Sequence, residues 1–379
     1  MALFFIVVFS VYFLVNLYLF LKGYRAVSGF NGNSAVYTVC FLVLALSFIA
    51  GKIIERNHHS VFSDILNIIG SFWLAFMLYG FFLFFISDII HLILRISGIL
   101  TSGRITEYRK WAFISTLLIS SILIITGFIN ALIPVVRHYE ININKPACGI
   151  KNYRIAAVSD IHLGSIIRKR SLIKLSKMLA DSKPDAVFLL GDIVDGEIGP
   201  VMKNDLLKYF NCPECRDGLL AITGNHEFIG GASVTIPYIE KNGIRILKDE
   251  VAIIENCIQV IGRLDRDGLR YRNESRKPLA KLMEQVESSK PVIVLDHQPI
   301  NLDEAEKAGV DLQLSGHTHN GQMWPLNYIT KMVYEVSSGY KQKGNTHIIV
   351  SSGYGIWGPR VRLGSRPEIV IVDITFSGN

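Results

Sequence analysis

The sequence has no run in which Lys and Arg interleave with aromatic side chains, so it lacks the usual footprint of a nucleic-acid groove. Cysteine is scarce, at five in 379 residues, and only Cys212-Pro-Glu-Cys215 has the C-x-x-C form. Without a second such pair a four-cysteine zinc site is disfavoured. Without a surrounding thioredoxin-like pattern, so is a redox catalyst. That leaves a structural disulfide or two unreactive thiols. No Lys or Arg precedes the first apolar run and no clear small-x-small site accompanies it, so the run reads as a retained helix rather than a cleaved signal. Charged residues make up only 19%, with 39 Lys and Arg against 32 Asp and Glu, a formal net charge of +7. Much of that basic surplus falls in short loops between apolar segments, where it bears on topology.

What is abundant is apolar residue, 50% of the chain, concentrated before residue 137. Four runs near 2–21, 35–54, 70–94 and 111–136 reach the length that crosses a bilayer, which takes about 20 residues at a rise of about 1.5 Å each. They lack paired Gly/Pro interruptions and hold few ionisable groups, which argues for an anchor over a transporter. Residues 1–136 are therefore expected to form a four-helix membrane anchor. The third loop carries Arg95, Arg104, Arg109 and Lys110, and nothing basic precedes the first run. The positive-inside rule then places the part beyond the anchor outside the cytoplasm, in a multi-pass integral membrane protein whose partner is the lipid bilayer. Asp88 and His91 share one face near the end of the third run, where interfacial water and Arg95 account for them.

Residues 137–150 read as a linker or a first edge strand. From 151 to 379, short apolar runs such as Tyr153–Val158, Ala186–Leu190 and Pro291–Leu295 alternate with helical patterns such as Ser171–Asp181 and Leu302–Ala308. Two late strands, His347–Ser351 and Glu368–Ile374, follow with little helix between. The expected architecture is an N-terminal α-helical bundle followed by an α/β domain of two packed sheets flanked by helices, four layers in the order αββα.

Five short clusters of N and O ligands lie past the ends of predicted strands. They are Asp160 and His162 in Ser-Asp-Ile-His, Asp192 in Gly-Asp, Asn225 in Gly-Asn-His-Glu, His297 in Asp-His-Gln-Pro, and His317 and His319 in Gly-His-Thr-His. Open α/β sheets place their ligands at such strand ends. One Asp or His there is ordinarily a helix cap or a structural side chain; the ordered set points to metal. Mixed imidazole, carboxylate and amide ligands without thiolate suit Mn, Fe or Zn better than Mg or Ca. His58, His59, His138 and His347 have no such context and read as ordinary side chains, as does Asp195, although its closeness to Asp192 would allow it a place behind the ligands.

At these residues the chain resembles the calcineurin-like metallophosphoesterase superfamily, whose pattern is D-x-H, G-D, G-N-H-[DE], H and G-H-x-H. The likeness runs over roughly 153–375. It implies two divalent ions, Mn foremost, with Fe or Zn as the other matches. One would take Asp160, His162, Asp192 and His319; the other Asp192, Asn225, His297 and His317. Asp192 would bridge, and His226 would face a phosphate-containing substrate and protonate the leaving oxygen or stabilise phosphoryl charge. The segments 311–322 and 350–371 resemble the membrane-associated YkuE/YaeI-like branch, with Asn320 where that branch has Gly. That branch is linked to phosphodiester or pyrophosphate hydrolysis, including of UDP-2,3-diacylglucosamine in lipid A synthesis. Arg360 and Arg362, in a Gly-rich segment, could grip a second phosphate. The competing functions are a protein phosphatase, a nuclease, and a membrane sensor or transporter whose metal domain only binds.

Overall fold

The computed structural model describes residues 2–29, 32–58, 60–210 and 218–377, so Cys212, Cys215 and His59 lie outside the described residues. The chain divides into two compact units, Met1–Ile129 with Gly358–Val361, and Asn130–Trp357 with Arg362–Asn379.

The helical unit contains α1 (Ala2–Gly29), α2 (Ser34–Asn57), α3 (Val61–Ile96) and α4 (Ile105–Ala131). All four are long and apolar enough to cross a membrane. α1, α2 and α3 extend past the expected apolar runs because polar caps, rather than hydropathy, stop a helix; α4 begins before its run and stops short of it at Ala131, ahead of the strand that opens at Val135. The Asn33 side chain accepts from the N–H groups of Ala35 and Val36 to start α2. Ser60 and Ser63 cap α3 reciprocally. Large aromatics pack inside, with Phe41 edge-on to Trp73 at 5.0 Å between centroids. The Trp73 indole N–H donates to Asn16 Oδ1 at 3.0 Å, satisfying a buried polar pair. Asp88 is held by Tyr18, whose hydroxyl donates at 2.7 Å, and by Lys22, while His91 lies beside the Tyr108 ring.

The second unit holds twelve strands in two six-stranded sheets. The first sheet runs β1 (Val135–Ile143), β12 (Glu368–Phe376), β2 (Asn152–Val158), β3 (Ala186–Leu189), β4 (Leu219–Ile222), β5 (Arg245–Leu247). Its neighbours are parallel except for β12 against β2. The second runs β10 (Gly339–Lys343), β11 (Thr346–Val350), β9 (Leu312–Ser315), β8 (Val292–Leu295), β7 (Ile258–Gly262), β6 (Glu250–Ile254), parallel through β11, β9, β8 and β7. Of the linker and the first edge strand expected at 137–150, the structure forms the edge strand, and it opens earlier, at Val135. Val135–Ile143 pairs over nine residues with the C-terminal strand, because His138, Tyr139 and Ile141 continue an extended pattern that needs a ladder partner. The second unit thus begins at Asn130, ahead of the expected boundary.

Strand periodicity makes the layers. Ile155 and Ala157 face the second sheet, while Ala156 and Val158 face the outer helices. In β8 the split repeats, with Ile293 and Leu295 inward and Val292 and Val294 outward. Both faces of each central strand are therefore apolar, as parallel strands buried on both sides require. The helix Lys169–Ser182 turns Leu172, Leu175 and Leu179 onto the first sheet, each fully buried and worth about 1.5–3 kcal/mol. The helices Leu279–Met283 and Asp303–Ala308 cover the second. The result is the expected αββα arrangement. A disulfide joins Cys148, just past β1, to Cys257 in the β6–β7 turn. No sequence signal had paired these two.

Candidate metal centre

Five parallel strands end at one place. β2 delivers Asp160 and His162, β3 Asp192, and β4 Asn225; from the facing sheet, β8 delivers His297 and β9 His317 and His319. The backbone there is bent hard. Asp160, His162, Asp192, His317 and His319 all have positive φ, between 47° and 73°. Non-glycine residues adopt that region rarely, and a cluster of them marks a place where packing dictates the turn. Gly191, at φ +87°, makes this crowding feasible: a Cβ there would stand 2.6 Å from the Gly224 nitrogen and 2.8 Å from His297 Nδ1. Asn320 takes φ 47° and ψ 41°, the left-handed turn expected of an Asn in a glycine's place.

The donor atoms fall into two groups. Asp160, His162 and His319 each offer a ligand atom within 4.8 Å of the others, and so do Asp192, His297 and His317. His162 Nε2 and His319 Nε2 face each other at 3.0 Å, and His319 Nε2 lies 3.4 Å from Asp160 Oδ1. Across the site, Asn225 Oδ1 is 2.9 Å from His317 Nδ1 and 3.3 Å from His297 Nε2. Asp192 Oδ2 stands between the groups, 3.3 Å from His297 Nε2 and 3.9 Å from His162 Nε2. These spacings are what ligand atoms about 2.0–2.2 Å from a common ion would show. All seven expected ligands are brought together, and the donor set fits a pair of divalent cations.

Partners behind the donors fix their orientation. His297 Nδ1 donates to the Leu190 carbonyl at 2.6 Å, which leaves Nε2 for the centre. Asp195 Oδ1 lies 3.4 Å from Nδ1 of both His162 and His226. These three also bring one ligand atom each within 4.8 Å of the others. We read them as an orienting group, because the carboxylate faces the ring edges opposite the first cluster. Glu227 is buried and its carboxylate accepts four backbone N–H groups: Asp192 at 3.0 Å, Ile193 at 2.8 Å, Val194 at 3.1 Å and Gly224 at 2.7 Å. Burial and Asp192 push its carboxyl up to about 7, against the four donors that favour the anion. Asp296 is gripped by both Arg276 nitrogens, and Gln298 donates to both Asp265 oxygens, at 3.2 and 3.0 Å. Glu227, Asp296 and Gln298 stood inside the sequence motifs, but nothing local showed what they would hold.

His226 sits over the first cluster, its ring edge-on to His162 at 4.6 Å, and its backbone N–H donates to Asp192 Oδ1 at 2.8 Å. Burial holds its imidazole below the ordinary value, with Asp192 pulling the other way. The phosphate grip expected of Arg362 is corrected. Its side chain is fully buried and donates to the carbonyls of Ser352 (2.8 Å), Gly353 (3.2 Å), Gly355 (2.6 Å) and Arg366 (3.2 Å). Its remaining reach goes to His319 Nδ1, at 3.0 Å. Arg360 belongs to the helical unit, its guanidinium 5.7 Å from the Phe128 ring.

Residues 153–321 match the model of the family described as calcineurin-like phosphoesterase. An uncharacterized metallophosphoesterase of Aquifex aeolicus is 35% identical over 251 residues, which is 64% of this chain and 93% of the relative. The chain belongs to the calcineurin-like metallophosphoesterase family. As a member of it, the chain is a phosphoester hydrolase whose family uses divalent metal ions. An uncharacterized metallophosphoesterase of Campylobacter jejuni, Cj0846, is 28% identical over 371 residues, covering 97% of each chain. A transmembrane protein with metallophosphoesterase domain from Danio rerio is 25% identical over 384 residues, covering 95% of this chain and 86% of its own. The likeness to these two metallophosphoesterases thus extends through the apolar helices, and the protein is a membrane protein.

Proposed function

We propose that this metallophosphoesterase is a membrane-anchored dimetal enzyme that hydrolyses a phosphodiester or pyrophosphate bond in a lipid-linked or cell-envelope substrate. The observation that carries it is the convergence of two donor clusters on Asp192 in a chain with four apolar helices. Asp160, His162, Asp192 and His319 would hold one ion, and Asp192, Asn225, His297 and His317 the other. Two such ions, Mn foremost with Fe or Zn also suited to the donor set, would supply charge neutralisation at the phosphoryl oxygens and a more acidic water. The chain's own part is orientation and proton delivery. Asp195 Oδ1 lies 3.4 Å from Nδ1 of His226, which leaves the Nε2 edge for substrate; once the ring is protonated on both nitrogens, Nε2 would hand its proton to the leaving oxygen.

The Cys148–Cys257 disulfide supports a domain outside the cytoplasm, because such bonds persist in oxidising compartments. The charge of the third loop supports the same side. That placement favours an envelope lipid over a UDP-linked substrate, which belongs to the cytoplasm.

The test is hydrolysis of bis-p-nitrophenyl phosphate against p-nitrophenyl phosphate by the full chain in detergent with Mn, beside D192N and H226A. Preferential diester cleavage, lost in both variants, is the expected result. A folded, metal-loaded protein that cleaves neither compound sinks the esterase assignment of this site.

A further inference from the structure

The chain leaves the metal centre through an apolar rim. Past His319 come Trp324 and the helix Leu326–Val333, none of whose residues is buried. Tyr328, Ile329, Met332 and Val333 all point their apolar groups outward, Met332 with 87% and Val333 with 68% of its surface exposed. Folding ordinarily turns such a strongly amphipathic helix apolar side inward. Trp357, also exposed, belongs to the same rim: Gln322 donates to its carbonyl at 2.8 Å and accepts from its N–H at 3.0 Å.

The rim is fastened to the centre at both ends. Tyr334, which ends the helix, packs its ring 6.1 Å from that of His317. Thr318, between the two last ligands, donates to the Ser337 carbonyl just beyond, and the Ser337 hydroxyl donates to Asn320 Oδ1 at 3.1 Å. On the other side, the strand end leading to Trp357 is bound to Asp160, whose carbonyl accepts from Gly355 N–H at 2.7 Å. The exposed face is therefore a fixed border of the site.

We propose that this rim docks on the bilayer that holds the protein's own helices, so that the centre acts on a phosphoester at the membrane surface. Three observations choose lipid over another occupant. Trp and Tyr are the side chains that settle at the headgroup level, and this rim has two Trp and a Tyr. Lys331 is exposed in the same helix and can lay its stem on the apolar face while its ammonium meets lipid phosphate. From Trp357 the chain runs directly into Gly358–Val361, a segment of the unit that contains the apolar helices. A short helix of this kind binds weakly by itself, but the anchor supplies a high effective concentration of bilayer. The proposal extends the lipid-linked substrate reading and rests on it for its catalytic consequence, though not for the docking.

Tryptophan emission separates the two. Full-length protein is placed in phosphatidylcholine vesicles with or without bromine on the acyl chains, and its quenching is compared with that of W324F/W357F. Extra quenching in the wild type is expected. Equal quenching overturns the docking, and emission that ignores bromine but shifts with protein concentration assigns the face to a second copy and overturns it too. M332E/V333E should lose the extra quenching, keep its rate on bis-p-nitrophenyl phosphate in detergent, and lose about tenfold on diacylglyceryl p-nitrophenyl phosphate in vesicles, since two exposed apolar anchors are gone. Equal rates of variant and wild type on the vesicle substrate also overturn it. Failure of the wild type on both compounds strikes the esterase reading instead, and the quenching still decides the docking.

Discussion

Arg362 Nη2 lies 3.0 Å from Nδ1 of His319, a contact that reaches across 43 residues of sequence. A guanidinium only donates, so Nδ1 accepts, and the neutral metal-free ring carries its proton on Nε2, from which a cation would have to displace it. Burial lowers the Arg362 pKa to about 10, still above neutral pH, so the side chain remains charged. The same residue offers its own carbonyl to Asn130, which donates to it and to the Ser365 carbonyl, both at 2.9 Å.

From that contact comes the first prediction. R362K keeps the charge but cannot span four carbonyls and an imidazole with one ammonium. Loss of such ligand support typically costs about 10–100-fold in metal affinity. Metal content after gel filtration should fall from two ions towards one, with the Asp192–His297–His317 group keeping its own. A full complement at unchanged affinity would show that His319 needs no such support.

Arg362 also shows where sequence reasoning stops. The seven candidate ligands could be singled out because each follows a strand in a short motif, and strand ends are where α/β sheets gather function. The four layers were legible because period-2 runs apolar on both faces demand cover. Arg362 was visible only as a charge in a Gly-rich stretch; its burial depends on how 351–366 folds back on the site, which no local pattern encodes. The helix Leu326–Val333 was missed for the opposite reason. Its apolar residues have helical spacing but no core to face. The Cys148–Cys257 bond joins residues 109 apart, and no spacing pattern pairs them.

Glu227 carries the second prediction. Its two oxygens accept from the Gly-Asp loop and from its own turn, tying two ligand-bearing segments together. In E227Q an amide N–H would replace one acceptor and face donors. Leaving buried N–H groups unmatched costs about 1–3 kcal/mol. The variant should melt measurably lower than the wild type in the same detergent even without added metal. An unchanged melting temperature would mean that the loops do not depend on this carboxylate.

The disulfide gives the third. It closes a separation of 109 residues, between the end of the edge strand β1 and the second sheet. Cross-links of that span typically contribute about 2–4 kcal/mol. The double variant C148S/C257S should unfold at lower denaturant than the oxidised wild type, and reductant should lower the wild type to match. A wild type indifferent to reductant, with a variant of equal stability, would count against the bond.

The fourth concerns pH and loading of the second ion. Burial alone would lower the His297 pKa, but Asp192, 3.3 Å from Nε2, outweighs it and holds the imidazole well above its ordinary value. His297 Nδ1 already donates to Leu190, so the extra proton sits on Nε2, where a cation would bind. His317 is the reverse case: burial, with His297 beside it, presses it down to about 4, so its ring is neutral at any working pH. The sign follows. A raised pKa means the metal-free site holds its proton to higher pH than a free imidazole, and that proton competes with the cation more strongly as pH falls. Uptake must therefore release it, and apparent affinity should rise about tenfold per pH unit for each proton displaced. Calorimetric Mn titrations in buffers of different ionisation enthalpy would count the proton directly. In D192N the raising charge is gone, so the count should fall. A wild type that binds Mn with no proton release at pH 7 would mean that His297 is already neutral there.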